Sequence, residues 1–191
     1  MDQIKHPLVE NILNFWFSPP TSKTYGQRQS MWFNSTPKMD QEIRLRYEKI
    51  FEEAKKGSLD DLQKTPEGIL TLILLFDQFS RNMFRDSMKA YETDSKARDL
   101  AQKAIDLGFD QKLPAFMRPF IYLPFEHSEN LKDQARSVSL FEALGDEQAL
   151  SYALMHQDVI KRFGRFPFRN KSLQRISTDA EIAFMKEPRL F

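Results

Sequence analysis

Gln41 to Gly57 reads QEIRLRYEKIFEEAKKG, and its apolar residues fall at Ile43, Tyr47, Ile50, Phe51 and Ala54. That spacing puts the side chains on one face of a helix, and Gly57 is a residue that ends one. The same pattern repeats outward along the chain. Thr65 with Pro66 behind it predicts a cap and a first-turn proline, opening a helix through Ile69 and Leu75 toward Arg81. Asp94 to Leu107 carries Ala97, Leu100, Ala101, Ala104 and Ile105 on one stripe before Gly108. Leu131 to Leu144 and Glu147 to Phe163 flank Gly145, and Thr178 with Glu181 spells a capping box for a short last helix. Prolines 114, 119 and 124 interrupt residues 113–125, which predicts a short kinked helix entering an irregular turn that carries Glu126 and His127. Glycines number six, none close together, and β-branched residues rarely alternate with polar ones, so strands have little support. The expectation is an all-α chain, residues 1–191 forming a single helical domain of stacked antiparallel helix pairs. Gly57, Gly108 and Gly145 punctuate those pairs at uneven intervals, so no true repeat is claimed.

Composition narrows the function classes. With 28 Lys plus Arg against 27 Asp plus Glu, net charge favours neither nucleic acid nor acidic partners, and any basic function must be local. The absence of cysteine excludes disulfides and thiolate sites, and three histidines leave little room for a histidine-rich metal centre. Met1 to Glu10 is charged and contains Pro7, and no apolar run approaches the length of a membrane span. A soluble, cytoplasmic protein with no membrane partner is expected.

Three runs mix charges and amides with side chains that favour burial, and a charge among such neighbours is costly unless it is paired or working. Around LLFDQFSRNMFR, laying residues 69–85 on a helix places Leu72, Leu75, Phe76, Phe79 and Met83 on one side and Asp77, Gln78, Arg81 and Arg85 on the other. Because Leu70 and Leu74 occupy the same sector earlier on, that sector starts in the core and runs into a cleft. An Asp77 to Arg81 ion pair closing the helix is the structural alternative. In Glu126-His127-Ser128-Glu129, a carboxylate beside an imidazole can fix its tautomer and raise its basicity, as a general base requires. Alternatively Glu126 or Ser128 caps the helix near Leu131, and His127 packs with Tyr122 or Phe125. His156 lies within the stripe Ala149, Ala153, Ile160 and Phe163, where a hydrogen-bonded core histidine is the plain alternative to a catalyst. Beyond it, Arg162, Arg165 and Arg169 alternate with Phe163, Phe166 and Phe168 as far as Asn170. Arginine forks bind phosphate and aromatic faces stack bases, so RNA or another phosphate-bearing ligand is a reasonable partner, as is a turn whose arginines pair with nearby acids.

The phosphate-cradling glycine loop, the G-x-S-x-G elbow, the H-E-x-x-H helix and the dinucleotide fingerprint are all missing. Asp77, Glu126, Asp133 and His127 are metal-ligating types, but no spacing among them singles out a site. Neither metal nor cofactor is expected.

The chain resembles the bacterial DUF924 family, whose name assigns no activity. The strings that carry the likeness are Ile12-Leu13-Asn14-Phe15-Trp16-Phe17, Trp32-Phe33, LLFDQFSRNMFR, YLPFEHSENLKDQARSVSLF from 122 to 141, and RFGRFPFRN from 162 to 170. The resemblance implies a tetratricopeptide-repeat-like helical fold. Family members usually carry His where this chain has Phe168, which leaves His127 and His156 as its only motif histidines. Stacked helix pairs commonly form a concave groove. The leading expectation is therefore a helical module that binds RNA or another phosphate-bearing ligand through Gln78, Arg81, Arg85, Arg162, Arg165, Arg169 and Asn170. The alternative is a hydrolase, conceivably a ribonuclease, with His127 and His156 as acid and base, Glu126 or Asp77 orienting them, and arginines stabilising developing negative charge. A protein-interaction scaffold is the third reading. The feature that separates them is whether Asp77, Arg81, Glu126, His127, His156, Arg162 and Arg165 surround one cleft.

Overall fold

Threonine caps and first-turn prolines set the helix starts in a computed structural model that describes residues 6–32 and 34–187. Phe33 of the Trp32-Phe33 motif and residues 1–5 of the charged N-terminal stretch lie outside the described residues. Helix α1 spans Pro7–Phe17 and α2 spans Pro37–Lys55, where the Thr36 hydroxyl accepts from the Met39 N–H. Ile43, Tyr47, Phe51 and Ala54 of α2 are buried, as the stripe predicts, and Ile50 is half-buried. Helix α3, Pro66–Ile73, is capped by Thr65 through the Gly68 N–H. Gly68 is required by space: a Cβ there would meet the Leu62 carbonyl oxygen at 2.0 Å.

The predicted continuous helix toward Arg81 is interrupted. Leu74–Phe79 form a π-helical segment before α4, Ser80–Met83. A π turn inserts an extra residue, so it shifts the side-chain register that an α-periodic reading assumes. All six residues of the segment are buried, Asp77 and Gln78 included. Then come α5, Asp94–Asp106, and α6, Pro119–Glu126. Residues 113–118 are turn rather than helix, and Pro119 opens α6 while Pro124 sits inside it. Glu126 is the last helical residue and His127 the C-cap, so the helix runs one residue further than expected and the turn begins at His127. Helices α7, Leu131–Leu144, and α8, Glu147–Phe163, pair across Gly145, whose φ of 76° is the left-handed conformation that favours glycine. Asn130, not Glu126 or Ser128, caps α7 through the Lys132 N–H. The last helix, α9, is Asp179–Phe184 and carries the predicted capping box of Thr178 and Glu181.

The fold is all-α, with no strand among the described residues. Helix α3 packs on α1 and α5, while α7 lies along both α6 and α8. Aromatic rings bind the N-terminal helices to α6. Trp16 is fully buried, with ring centroids 5.3 Å from Phe79 and 5.9 Å from Phe120 in edge contacts, and Tyr47 lies 4.9 Å from Phe79. Such pairs add roughly 0.5–1.5 kcal/mol each beyond area burial. The Trp32 indole N–H donates to the Trp16 carbonyl at 2.8 Å, which fixes the segment between α1 and α2 over this cluster. A smaller cluster of Val159, Ile160, Phe166 and Phe184 seats α9 against the end of α8.

Leu74 begins the π segment fully buried in the main core. Leu74→Ala should cost about 2–5 kcal/mol, read as a lower urea midpoint with unchanged slope. A midpoint equal to that of the native chain would show that the site collapses around the deletion or was never packed.

Candidate functional site

The π segment delivers Asp77 to the centre of the molecule, 1 % exposed. Its Oδ1 lies 2.6 Å from the His127 Nδ1 and 3.2 Å from Arg81 Nη1. Gln78 Nε2 donates to its Oδ2 at 2.5 Å. Burial raises the pKa of such a carboxyl, but His127, Arg81 and Gln78 outweigh that and hold Asp77 below the ordinary carboxylate range. An ionised carboxylate only accepts, so the His127 proton resides on Nδ1, and Nε2 is the basic nitrogen of the ring. Burial lowers the His127 pKa, with Asp77 opposing the change, so the imidazole is neutral near pH 7.

His127 is held in place from a second side. Gln134 on α7, wholly buried, donates through Nε2 to the carbonyls of Glu126 and Ser128 at 2.6 Å each. One amide therefore brackets the catalytic-type histidine. Ser128 donates to Asp133, which also pairs with Arg98, so Asp133 is occupied at the helix start and stands apart from the site. Among the described residues no group of three or more His, Asp or Glu side chains is arranged to hold a metal ion.

Across from His127, with ring centroids 6.3 Å apart, stands His156 of α8. Its Nδ1 lies 2.9 Å from the Tyr152 carbonyl, an acceptor, and 3.4 Å from Glu126 Oε1. Burial, with help from His127, Arg169 and Arg81, pulls the His156 pKa to about 3 against the opposing pull of the Tyr152 carbonyl. Its imidazole is therefore neutral near pH 7. Glu126 moves the other way: burial first, and then the Asp77 charge, push its carboxyl to about 8. Near neutrality it carries a proton.

These groups line one cavity of about 920 Å³. Gln78, Arg81, Arg85, Glu126, His127 and His156 all reach it, while Asp77 lies behind His127. Arg81 forks onto Asp94 with bonds of 2.9 and 3.0 Å and donates to the Asp77 carbonyl. Arg85 forks onto Asp40 at 2.7 and 3.0 Å. The opposite wall is apolar and includes Trp32, Phe116, Phe120, Leu123 and Phe141.

The C-terminal arginines divide. Arg169 stays near the cluster, sandwiched between Tyr91 and Phe166 with its Nη1 3.6 Å from Asp94, and burial together with Arg81 pulls it down to about 10. Arg162 and Arg165 lie outside the cavity. Arg162 pairs with Asp158 at 3.5 Å and covers Phe184 on a separate shallow face. Arg165 forks onto Glu181 at 2.6 and 2.8 Å, and buried Asn170 donates to Ser177 and Glu181. The reason is local: Gly164, with φ 71°, turns the chain back so that this run meets α9, whose Glu181 gathers the donors. Phe168 packs 5.6 Å from Phe184 in the small cluster. Asp94 and Gln134 were missed as site residues because each reads as an ordinary first-turn position of an amphipathic helix. The one signal that could have found Gln134 was an amide within a run otherwise rich in charge.

Glu126 should leave a signature in stability. Its pKa is raised from 4.5 to about 8 on folding, so the folded chain keeps a proton that the unfolded chain loses, and stability falls as pH rises through that window. Glu126→Gln cannot ionise, so its urea midpoint relative to the native chain should climb between about pH 5 and about pH 9. Parallel curves for the two proteins across that range would rule out a buried, proton-retaining carboxyl.

Comparison with known proteins agrees with the fold. The family described as bacterial protein of unknown function (DUF924) matches residues 12–189. The solved structure of a protein of unknown function from Agrobacterium tumefaciens is similar, with a TM-score of 0.85 and 35% identity, covering 95% of this chain and 98% of that one. A search among curated proteins finds no match. A match over nearly the whole length, joined to a close structural likeness, makes this chain a member of the DUF924 family.

Proposed function

We propose that the chain is a hydrolase acting on a small molecule held in the cavity, with His127 as general base and Glu126 as general acid. The observation that carries this is the 2.6 Å contact between Asp77 and the His127 Nδ1, made where the ring lines a cavity that also holds a protonated carboxyl. A neutral imidazole fixed by a buried carboxylate and a carboxylic acid near pH 7 are an acid and base pair whose environments have moved them to opposite protonation states. His127 Nε2 takes a proton from water as the water oxygen bonds to the substrate carbonyl carbon. The oxyanion that forms collapses, the bond to the leaving oxygen or nitrogen breaks, and the Glu126 proton goes to that atom. Water enters, the two halves leave as acid and alcohol or amine, and the proton on His127 returns to Glu126 through solvent. Asp77 stabilises the imidazolium, and Arg81 lends positive charge beside it. His156 helps to hold Glu126 in place.

The reading treats the chain as one helical domain, tetratricopeptide-like in its helix pairs and cytoplasmic. A binding module for RNA or another phosphate-bearing ligand is favoured by one observation, that Gln78, Arg81 and Arg85 reach the same cavity. A protein partner has no specific observation behind it.

The test is turnover of a panel of chromogenic aryl esters and anilides. His127→Ala should lower kcat by about 10²-fold or more with little change in affinity. The rate should fall on the alkaline side as Glu126 ionises near 8, and Glu126→Gln should flatten that limb while slowing the reaction. Equal rates for the native chain and His127→Ala would end the hydrolase reading. Steep salt-dependent retention of an intact RNA pool, in chelated and metal-supplemented buffer alike, would favour the binding module instead.

A further inference from the structure

The charges around the cavity cancel pair by pair. Arg28 sits 3.1 Å from Asp146 and donates to Gln148 as well. Arg85 is taken by Asp40, and Arg81 by Asp77 and Asp94. Arg169, behind the wall, shares Asp94. Four arginines thus face four aspartates, and no lysine lines the cavity among the described residues. Asp40 is further held by Ser35 and Asn82, so its partnership with Arg85 is anchored from three sides. The remaining groups at the polar end, Gln78, Glu126, His127 and His156, offer donors and acceptors without net charge near neutrality.

An incoming phosphate or carboxylate meets arginines whose charge an aspartate already balances, so it brings an excess negative charge to the wall and competes with Asp146, Asp40 or Asp94 for the guanidinium. That exchange adds the desolvation of the ligand and gains little in return. An uncharged group meets no such exchange. The aromatic wall of Trp32, Phe116, Phe120 and Phe141 stands ready for an apolar body, with Trp32 and Phe120 centroids 5.0 Å apart.

We infer that the cavity selects an uncharged molecule with an aromatic or branched aliphatic body and a single carbonyl end, an ester or amide, in preference to any phosphate or carboxylate. The inference rests on the acid and base reading for the orientation of the carbonyl, which points to Glu126 and His127. It accounts for arginines at the cavity that carry partners of their own.

Binding is measured on Glu126→Gln, which slows turnover while Asp77 keeps its His127 partner, by calorimetry with phenylacetamide, phenylacetate and phenyl phosphate. Phenylacetamide should bind at least about tenfold tighter than either anion, with little change between about 50 mM and about 500 mM salt. Asp146→Asn supplies a built-in reversal. Asparagine keeps the N-cap of α8 but frees Arg28, so phenylacetate affinity should rise several-fold while phenylacetamide affinity stays put. Anions that bind as tightly as the amide in the parent variant overturn the inference, as does failure of all three probes to bind a protein with an intact thermal transition. The hydrolase reading fails separately. Tight phenylacetamide binding with no His127-dependent turnover of neutral esters keeps the ligand class and rejects the reaction, whereas His127-dependent turnover confined to anionic esters keeps the reaction and rejects the ligand class.

Discussion

Asp77 carries a negative charge in the interior of a helical chain, and the surrounding structure is arranged to make that tolerable. A carboxylate isolated there would neutralise or unfold its surroundings, because the desolvation cost exceeds what a single hydrogen bond returns. Here three donors converge on it: the imidazole of His127 from the end of α6, the guanidinium of Arg81 one turn on, and the amide of Gln78 beside it. Each brings a constraint of its own. Arg81 must reach Asp94 at the start of α5, and His127 must stand where Gln134 on α7 clamps the carbonyls on either side of it. The relative placement of α4, α5, α6 and α7 is therefore written into the coordination of one carboxylate.

The π segment carries Asp77 into this interior. Leu74 to Phe79 are all buried, as Gly68 to Ile73 before them are, so this stretch is enclosed on every side and turns no polar sector to solvent. Asp77 and Gln78 lie inside with the rest, and Phe76 and Phe79 have aromatic partners there, Phe51 at 6.1 Å and Trp16 at 5.3 Å. The freed Phe76 carbonyl accepts from the Thr93 hydroxyl at 2.7 Å and from the Ser80 hydroxyl at 2.8 Å. Thr93 immediately precedes the Asp94 that receives Arg81, so the same few residues repair the helix and anchor its charge.

The α-helical elements were legible because they are local. Caps at Thr65 and Thr178, stops at Gly57 and Gly145, and the stripe from Ile43 to Ala54 depend on residues within one or two turns of each other. Residue type likewise marked Asp77, Glu126, His127 and His156 as a candidate cluster, since charge among apolar neighbours is a local signal too. What the chain did not disclose is register and partnership. Nothing in LLFDQF distinguishes a π turn from an α turn, and the apolar and charged residues of the Arg/Phe run are the same whether they face a ligand or an acid sixteen positions away. The physical decision for Arg162, Arg165 and Asn170 was taken by Glu181 and Asp158, one distant in sequence and one a turn earlier on the polar side of α8.

The C-terminal run nevertheless shapes the site from behind. Glu129, at the end of the string that carries Glu126 and His127, accepts from the Phe166 backbone N–H at 2.9 Å and from Arg175 at 2.9 Å. That grip sets the Phe166 ring edge-on to His156 at 5.6 Å and stacks Arg169 over the same ring at 4.4 Å. An apolar ring and a fixed cation behind His156 both disfavour its protonated form, and a neutral His156 beside Glu126 gives that carboxyl no positive charge to ionise against. The proton on Glu126 is kept there by its own burial first and then by the Asp77 charge. Phe166 and Arg169 alone of that run reach the cavity's surroundings, and they act on it through His156, without lining it.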